Sequence, residues 1–505
     1  MDSRLSAADR RSARRTHGPG RPGHPSPFLR VVQRFHHPAG GAGSAAIAAA
    51  AGLHRDHDRY CRPVPHSADQ GRRGQARVSA MAGGSAPAGT LHAWCSVSLL
   101  DQAGLGDGRR DGLVAIEIAW RHGVISALRE LPPGADPPTE LMLPRLVEPH
   151  AHLDKAFTWA DHPNHEGTYA GAMAANRQEH ATRSVERVVA RAERGLQLAW
   201  RHGLRGMRSH IDSLGPGAAC SWEALQDRRL LWRERIELQL VALVPISHWS
   251  TPEAGELARQ VVAAGGLLGG VLVPPCRDAQ TRRGLEDLLA LADRLGCGID
   301  LHIDEADQDP AAGLRLLVQC LDRRPVSVPI TCSHASSLAL LSARALAQLA
   351  DRMAAHRLGV VALPLTNGWL LGRRPQQTPL QRPLAPLMQL QRAGVVVAVG
   401  GDNVQDPWFP GGSFDPIALM AASLPLAQLA PWQRRGLMPF TTEAARLLGL
   451  AWDGRLQVGA PADLILLEAT HWGEVLASPP QRRVLVAGRW LTETGADHNA
   501  AASGS

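Results

Sequence analysis

The 505-residue chain predicts an α/β fold: a (β/α)8 barrel of the TIM type with a small composite β domain built from both ends of the chain. Three observations predict it. Eight apolar runs of strand length recur between positions 144 and 402, with amphipathic helix-length segments between most of them. Polar, histidine-bearing clusters fall at the ends of those runs, where a parallel barrel builds its site. Short strand-like runs with Gly-Asp and His-Gly turns flank this alternation on both sides.

Taken in order, residues 1–80 come first. They hold 14 Arg, no Lys and 5 Asp, a net charge of +9, and show no sustained period of 2 or 3.6. The Gly/Ala run Gly40–Gly52 follows an Arg-rich stretch and makes a poor secretory signal. This composition predicts an extension outside the folded body, read as translation starting at Met81 ahead of a disordered tail or a targeting segment. The other 425 residues hold 40 basic and 42 acidic side chains, a net of −2. The formal charge of +7 therefore belongs to the extension, and the body has no reason to seek nucleic acid or an acidic membrane.

Leu91–Leu100, Gly112–Trp120 and Gly123–Leu128 read as strands, and Gly459–Leu467 and Arg483–Leu491 as their partners from the other end. The expected division is 88–143 with 451–495 for the composite β domain, and 144–450 for the catalytic barrel. The eight barrel runs are Pro144–His152, Leu204–Asp212, Leu238–Pro245, Leu267–Pro275, Gly298–Glu305, Val326–His334, Leu358–Asn367 and Val395–Asp402. Ser184–Trp200, Trp222–Arg233, Arg282–Leu295, Ala311–Leu321 and Ser337–Met353 read as helices between them. No stretch reaches about 18 apolar residues, so no transmembrane helix is expected. The seven cysteines are scattered without a C-x-x-C pair, which predicts free thiols and a cytoplasmic protein.

Chemistry collects at four of the strand ends. His150 and His152 lie at i and i+2 after the first run, so both face one side and can share a metal. The fifth run ends in Asp300-Leu301-His302-Ile303-Asp304-Glu305, the sixth in Thr331-Cys332-Ser333-His334, the eighth in Gly401-Asp402-Asn403. A single strand-end histidine is more often structural than catalytic. Four such clusters converging on one barrel mouth predict a zinc or ferrous site with nitrogen and carboxylate ligands and an open position for water.

With Val147–Asp154, Arg208–Asp212, Leu301–Glu305, Thr331–His334 and Gly401–Pro410 taken together, the chain resembles the amidohydrolase superfamily, in its cytosine deaminase branch and close to N-isopropylammelide amidohydrolase. The resemblance runs from Leu91 to Leu491. It implies that His150, His152, His302 and Asp402 hold one divalent ion, Fe2+ or Zn2+. It implies Asp402 as base toward the attacking water, Glu305 as proton shuttle, and His334 as the group that orients the nucleophile and steadies the oxyanion. Binuclear relatives use a carboxylated lysine at strand four; here that strand ends Leu272–Cys276 and the only lysine is Lys155, which argues for a single ion.

The substrate side departs from the pattern. The branch carries a Gln after strand three, where this chain has Val241–Trp249 and no Gln; His248 is the next candidate contact. Lys155 reads equally as a substrate contact and as half of an ion pair. Trp159, Trp249, Trp369 and Trp408 are candidate pocket walls, Trp408 foremost, and Asn403 leans toward the ammelide relative. His210 and Asp212 read as a buried pair supporting the barrel. The expected activity is hydrolytic deamination of an amino-substituted nitrogen heterocycle by a homo-oligomeric enzyme. The alternatives are alkylamine release or cyclic amide hydrolysis on the same scaffold, and a non-catalytic binding protein.

Overall fold

The computed structural model describes residues 88–101, 108 and 110–492; the expectation for residues 1–80 lies outside them. Within this body, β1 (Ala88–Ser96), β2 (Leu113–Arg121), β3 (Val124–Glu130) and β4 (Leu141–Pro144) precede the barrel. The barrel strands are β5 (Leu146–Ala151), β6 (Leu204–Asp212), β7 (Glu237–Leu243), β8 (Leu267–Leu272), β9 (Ile299–Ile303), β10 (Ile330–His334), β11 (Gly359–Ala362) and β12 (Val396–Val399). β13 (Leu464–Leu467), β14 (Arg482–Val486) and β15 (Arg489–Trp490) return to the first sheet.

The eight barrel strands pair in sequence order, all parallel, from β5 to β12. β12 and β5 meet through a bridge between Ala151 and Asp402, where the Asp402 amide donates to the His150 carbonyl at 2.9 Å. The closure seam thus runs through the predicted site. Short apolar strands suffice because a helix covers the outside of each connection. Helix Val185–Arg201 buries Val188, Ala192, Leu196 and Ala199, one stripe at helical spacing, and Ser184 caps it. Helix Ala279–Leu295 starts on the Asp278 carboxylate and stops at Gly296, in the left-handed conformation.

The other sheet has the order β15-β14-β13-β4-β1-β2-β3, so both chain ends contribute to it, as expected. Arg145 couples it to the barrel. Its buried guanidinium pairs with Asp463 at 3.3 Å, donates to the Leu204 carbonyl and lies 4.5 Å above the Trp200 ring. Burial pulls its pKa down to about 10, partly offset by Asp463.

Two differences from the sequence reading have physical causes. The first predicted run starts too early, since Pro144 belongs to the small sheet and only Leu146 enters the barrel. The runs also stop sooner than predicted: His152, Glu305, Asn367 and Asp402 stand beyond the strand ends. Asp304 and Asp402 have φ of 55° and 64°, conformations that break an extended strand. Two helices carried no usable period. Tyr169–Ala181 is polar, and Pro416–Leu426 is apolar on most sides because it is packed on most sides. Among the described residues no helix is long and apolar enough to cross a membrane.

Arg145→Ala is expected to lower the unfolding free energy by about 3 kcal/mol, the low end for a broken buried pair, because Asp463 keeps part of its hydration. Denaturant unfolding of the two proteins checks this.

Candidate metal centre and active site

The site is built on β5, β6, β9 and β10, on the segments after β5, β9 and β12, and on the helix Pro364–Leu370 after β11. His152 Nε2 lies 3.3 Å from His302 Nε2 and 3.2 Å from Asp402 Oδ1, and His150 Nε2 lies 3.5 Å from the same oxygen. A four- or five-coordinate ion about 2.1 Å from each donor sets donor–donor edges of roughly 3.0–3.6 Å. The observed separations fall in that range. His150, His302 and His334 also form one group whose ligand atoms lie within 4.8 Å of one another.

Hydrogen bonding makes the same point. His150 Nε2, both oxygens of Asp402 and His334 Nε2 are buried without a hydrogen-bond partner. Such atoms cost roughly 1–3 kcal/mol each when left unsatisfied. Burial, followed by the neighbouring imidazoles, holds the pKa values of His150 and His302 well below the ordinary histidine value, so both rings stay neutral and keep a lone pair to give. The residues present therefore fit a divalent ion bound by His150, His152, His302 and Asp402.

Glu305 and His334 stand beside this group. Glu305 Oε1 is 3.5 Å from His334 Nδ1, and the Asn367 amide reaches both, at 3.5 Å and 3.0 Å respectively. Burial, reinforced by the Asp402 charge, raises the Glu305 pKa well above the usual carboxylate range. His334 is lowered to about 4, chiefly by burial. Its φ of 71°, like that of Asp402, is a costly backbone for a non-glycine residue. The Glu305 loop is stitched down: Asp304 accepts from the Gly313 and Leu314 amides at 2.8 Å each, and Ser336 Oγ donates to the Asp304 carbonyl.

The remaining predicted residues divide. Lys155 Nζ pairs with Asp212 Oδ1 at 2.8 Å inside a buried network with Arg183, Asp154 and Asn176. Burial alone would lower its pKa; Asp212 and Asp154 outweigh that and raise it. Its charge is among those that lower the His302 pKa and oppose the rise at Glu305. Trp408 packs edge-on to Tyr169 at 4.9 Å with its indole N–H buried and unpartnered, and Tyr169 in turn feels the Glu305 charge. Asn403 is buried and donates to Asp406 at 2.8 Å, shaping the loop that carries Trp408. No hydrogen bond, ion pair or ring contact among the described residues joins His248 to the histidine group; its ring lies against Trp249. Trp249, read as a pocket wall, is core and donates to the Gly269 carbonyl.

His210 and Asp212 do not pair with each other. His210 stacks on His150 with ring centroids 3.9 Å apart, while Asp212 holds Lys155 and Arg183. Sequence reasoning passed over Glu148, whose carboxylate accepts from the His150 amide and, across the seam, from the Gly401 amide. It also passed over Asn367, Asp300 and Ser333. The usable signal was an acidic residue two positions before His150 and before His302, Glu148 and Asp300.

A barrel with a histidine and aspartate centre at its seam defines a metal-dependent hydrolase. The chain belongs to the amidohydrolase family, whose model matches residues 183–491, and it is a hydrolase acting on carbon–nitrogen bonds. It is 33% identical over 388 residues to a pterin deaminase of Rhizobium rhizogenes, covering 74% of this chain and 87% of that one. Among solved structures, it is similar to 5-methylcytosine deaminase of Klebsiella pneumoniae (23% identity, TM-score 0.68, covering 81% of this chain and 98% of that one). It also resembles N-isopropylammelide isopropylaminohydrolase of Burkholderia multivorans (26% identity, TM-score 0.61, covering 79% and 97%).

Dialysis against a strong chelator is expected to lower Tm by several degrees, and re-addition of Zn2+ or Fe2+ to restore it, because a ligand bound only by the folded state stabilises it. An unchanged Tm, together with no metal by elemental analysis, would remove the metal-centre reading.

Proposed function

We propose that this chain deaminates an amino-substituted nitrogen heterocycle by hydrolysis, with a fused aminopyrimidinone such as a pterin as the favoured substrate class. The observation that carries it is the Glu305 carboxyl, whose pKa is raised, held 3.5 Å from His334 beside a group in which His150 Nε2 and both Asp402 oxygens are buried without partners. The fused-ring preference rests on the likeness to the pterin deaminase.

A divalent ion held by those four residues supplies a water acidified toward neutral pH and a positive charge beside the developing oxyanion. Asp402 would take the first proton from the attacking water, whose oxygen would bond to the ring carbon that bears the amine. Glu305, kept in its acid form by burial, gives its proton to the adjacent ring nitrogen, and the carbon becomes tetrahedral. His334, neutral and held by Asn367, orients the nucleophile and steadies the negative oxygen. Asp402 would pass its proton to the exocyclic nitrogen, and Glu305 would take up the remaining hydroxyl proton as the carbonyl forms. The carbon–nitrogen bond breaks, ammonia leaves and the carbonyl product forms. On this reading Lys155 and the Tyr169–Trp408 pair are the substrate-side groups, since an ammonium and flat rings suit a heterocycle with a ring carbonyl.

The test is ammonia release from a panel of pterins, aminopyrimidines and aminotriazines by protein loaded with Fe2+ or Zn2+; silence across the panel counts against the reading. Asp402→Ala is expected to abolish turnover, and Glu305→Gln to lower kcat by about 10²–10⁴-fold. Glu305 acts as an acid with a raised pKa, so kcat should hold on the acid side and fall as pH rises through that pKa. Glu305→Gln should lose this limb.

A further inference from the structure

We propose that Asp300 and Ser333 form a positioning relay that fixes the ring and tautomer of His150, so that its Nε2 lone pair faces a bound cation. The proposal rests on the reading of His150 as a metal ligand. Neither residue touches substrate; Asp300 acts through Ser333.

The tautomer follows from counting hydrogens. Ser333 Oγ lies 2.8 Å from Asp300 Oδ1 and 2.9 Å from His150 Nδ1, and all three side chains are fully buried. A serine hydroxyl has one hydrogen. Asp300 is an anion: Arg208 Nη1 donates to its other oxygen at 2.8 Å, and both groups are buried. The hydroxyl hydrogen therefore goes to Asp300, and toward His150 the oxygen only accepts. Nδ1 then carries the ring hydrogen and Nε2 is left with its lone pair. Nε2 is the atom that has no hydrogen-bond partner and lies 3.5 Å from Asp402 Oδ1.

The far end of the relay is anchored. Arg208 also donates to Thr331 Oγ1, to Gln239 Oε1 through two nitrogens, and to the Leu447 carbonyl. Five strands thus contribute: β5, β6, β7, β9 and β10. His210 adds a steric limit. Its ring stacks on His150 at 3.9 Å with its Nε2 3.4 Å from Asp300 Oδ1, so the His150 ring cannot turn over without displacing it. Partners of this kind raise ligand basicity, and their loss typically weakens metal binding by about 10–100-fold.

The experiment titrates Co2+ into chelator-stripped full-length protein, read by visible absorption and by competition with a chromophoric chelator. Ser333→Thr and Ser333→Val have nearly the same shape and differ in the hydroxyl. Ser333→Val is expected to weaken Co2+ binding about 10–100-fold and to change the visible spectrum, while Ser333→Thr stays within about threefold of the parent with the parent spectrum. Far-UV circular dichroism and melting of the two variants should agree, which separates the relay from a folding defect. Equal affinity and spectra for the two variants, with binding lost in His150→Ala, would overturn the relay and leave the metal centre standing. No Co2+ binding by the parent protein would overturn both.

Discussion

The structure depends on one unpaid electrostatic debt: a set of polar atoms buried at the barrel seam without partners. His150 Nε2 and both Asp402 oxygens lie where water does not reach them. Folding alone gains nothing by burying them, since each loses hydration and finds no hydrogen bond. A cation at their centre would reverse the sign, converting imidazole lone pairs and a carboxylate from a penalty into ligation. The barrel closes at the same point. β5 and β12 touch through the Ala151–Asp402 bridge, and Glu148 accepts from amides on both sides of the seam. Closure and metal site are therefore one construction, and weakening either disturbs the other.

Glycine is needed there for space. A Cβ on Gly400 or Gly401 would sit 3.0 Å or 2.9 Å from the Glu148 carboxylate. Non-glycine residues take the strained backbone instead: Asp304 directly after β9, His334 at the end of β10 and Asp402 three residues past β12 all have positive φ. Turning the chain there aims each side chain inward from a loop. A residue continuing the strand would alternate between the two faces of the sheet. The strain is held by the surroundings, as when Ser336 and Ser337 bond the Asp304 carbonyl.

The barrel was legible because its strands are short, mostly apolar runs and its helices are striped, two periods that do not overlap. The histidine pair was legible from its i, i+2 spacing, and the second sheet from matching runs at both ends. What escaped notice has a common physical cause. Asp300, Ser333 and Arg208 satisfy one another inside the barrel, so each looks like an ordinary polar residue near a strand end until the register aligns Asp300 with Thr331 and His302 with Ser333. Asn367 reads as the end of the seventh strand run, but the strand stops at Ala362 and Asn367 sits in a helix that begins at Pro364. The stacking of His210 on His150 is a contact between neighbouring strands. Sequence spacing alone does not say which of two histidines turns its edge, and which its face, toward the other.

Lys155 shows why a lone charged residue needs its whole neighbourhood before it is given a role. As one ammonium following two histidines it invites a direct substrate contact. In the fold it is bound to Asp212, which also holds Arg183 and Asn176, so moving it would strand a buried carboxylate. Its place is therefore fixed before any substrate arrives. The Lys155 charge opposes the burial that raises the Glu305 pKa. The same charge, facing the histidine group, disfavours imidazolium there and helps keep His302 neutral. Lys155 thus serves both halves of the centre from a position set by its own ion pair, whether or not a ring oxygen also reaches it.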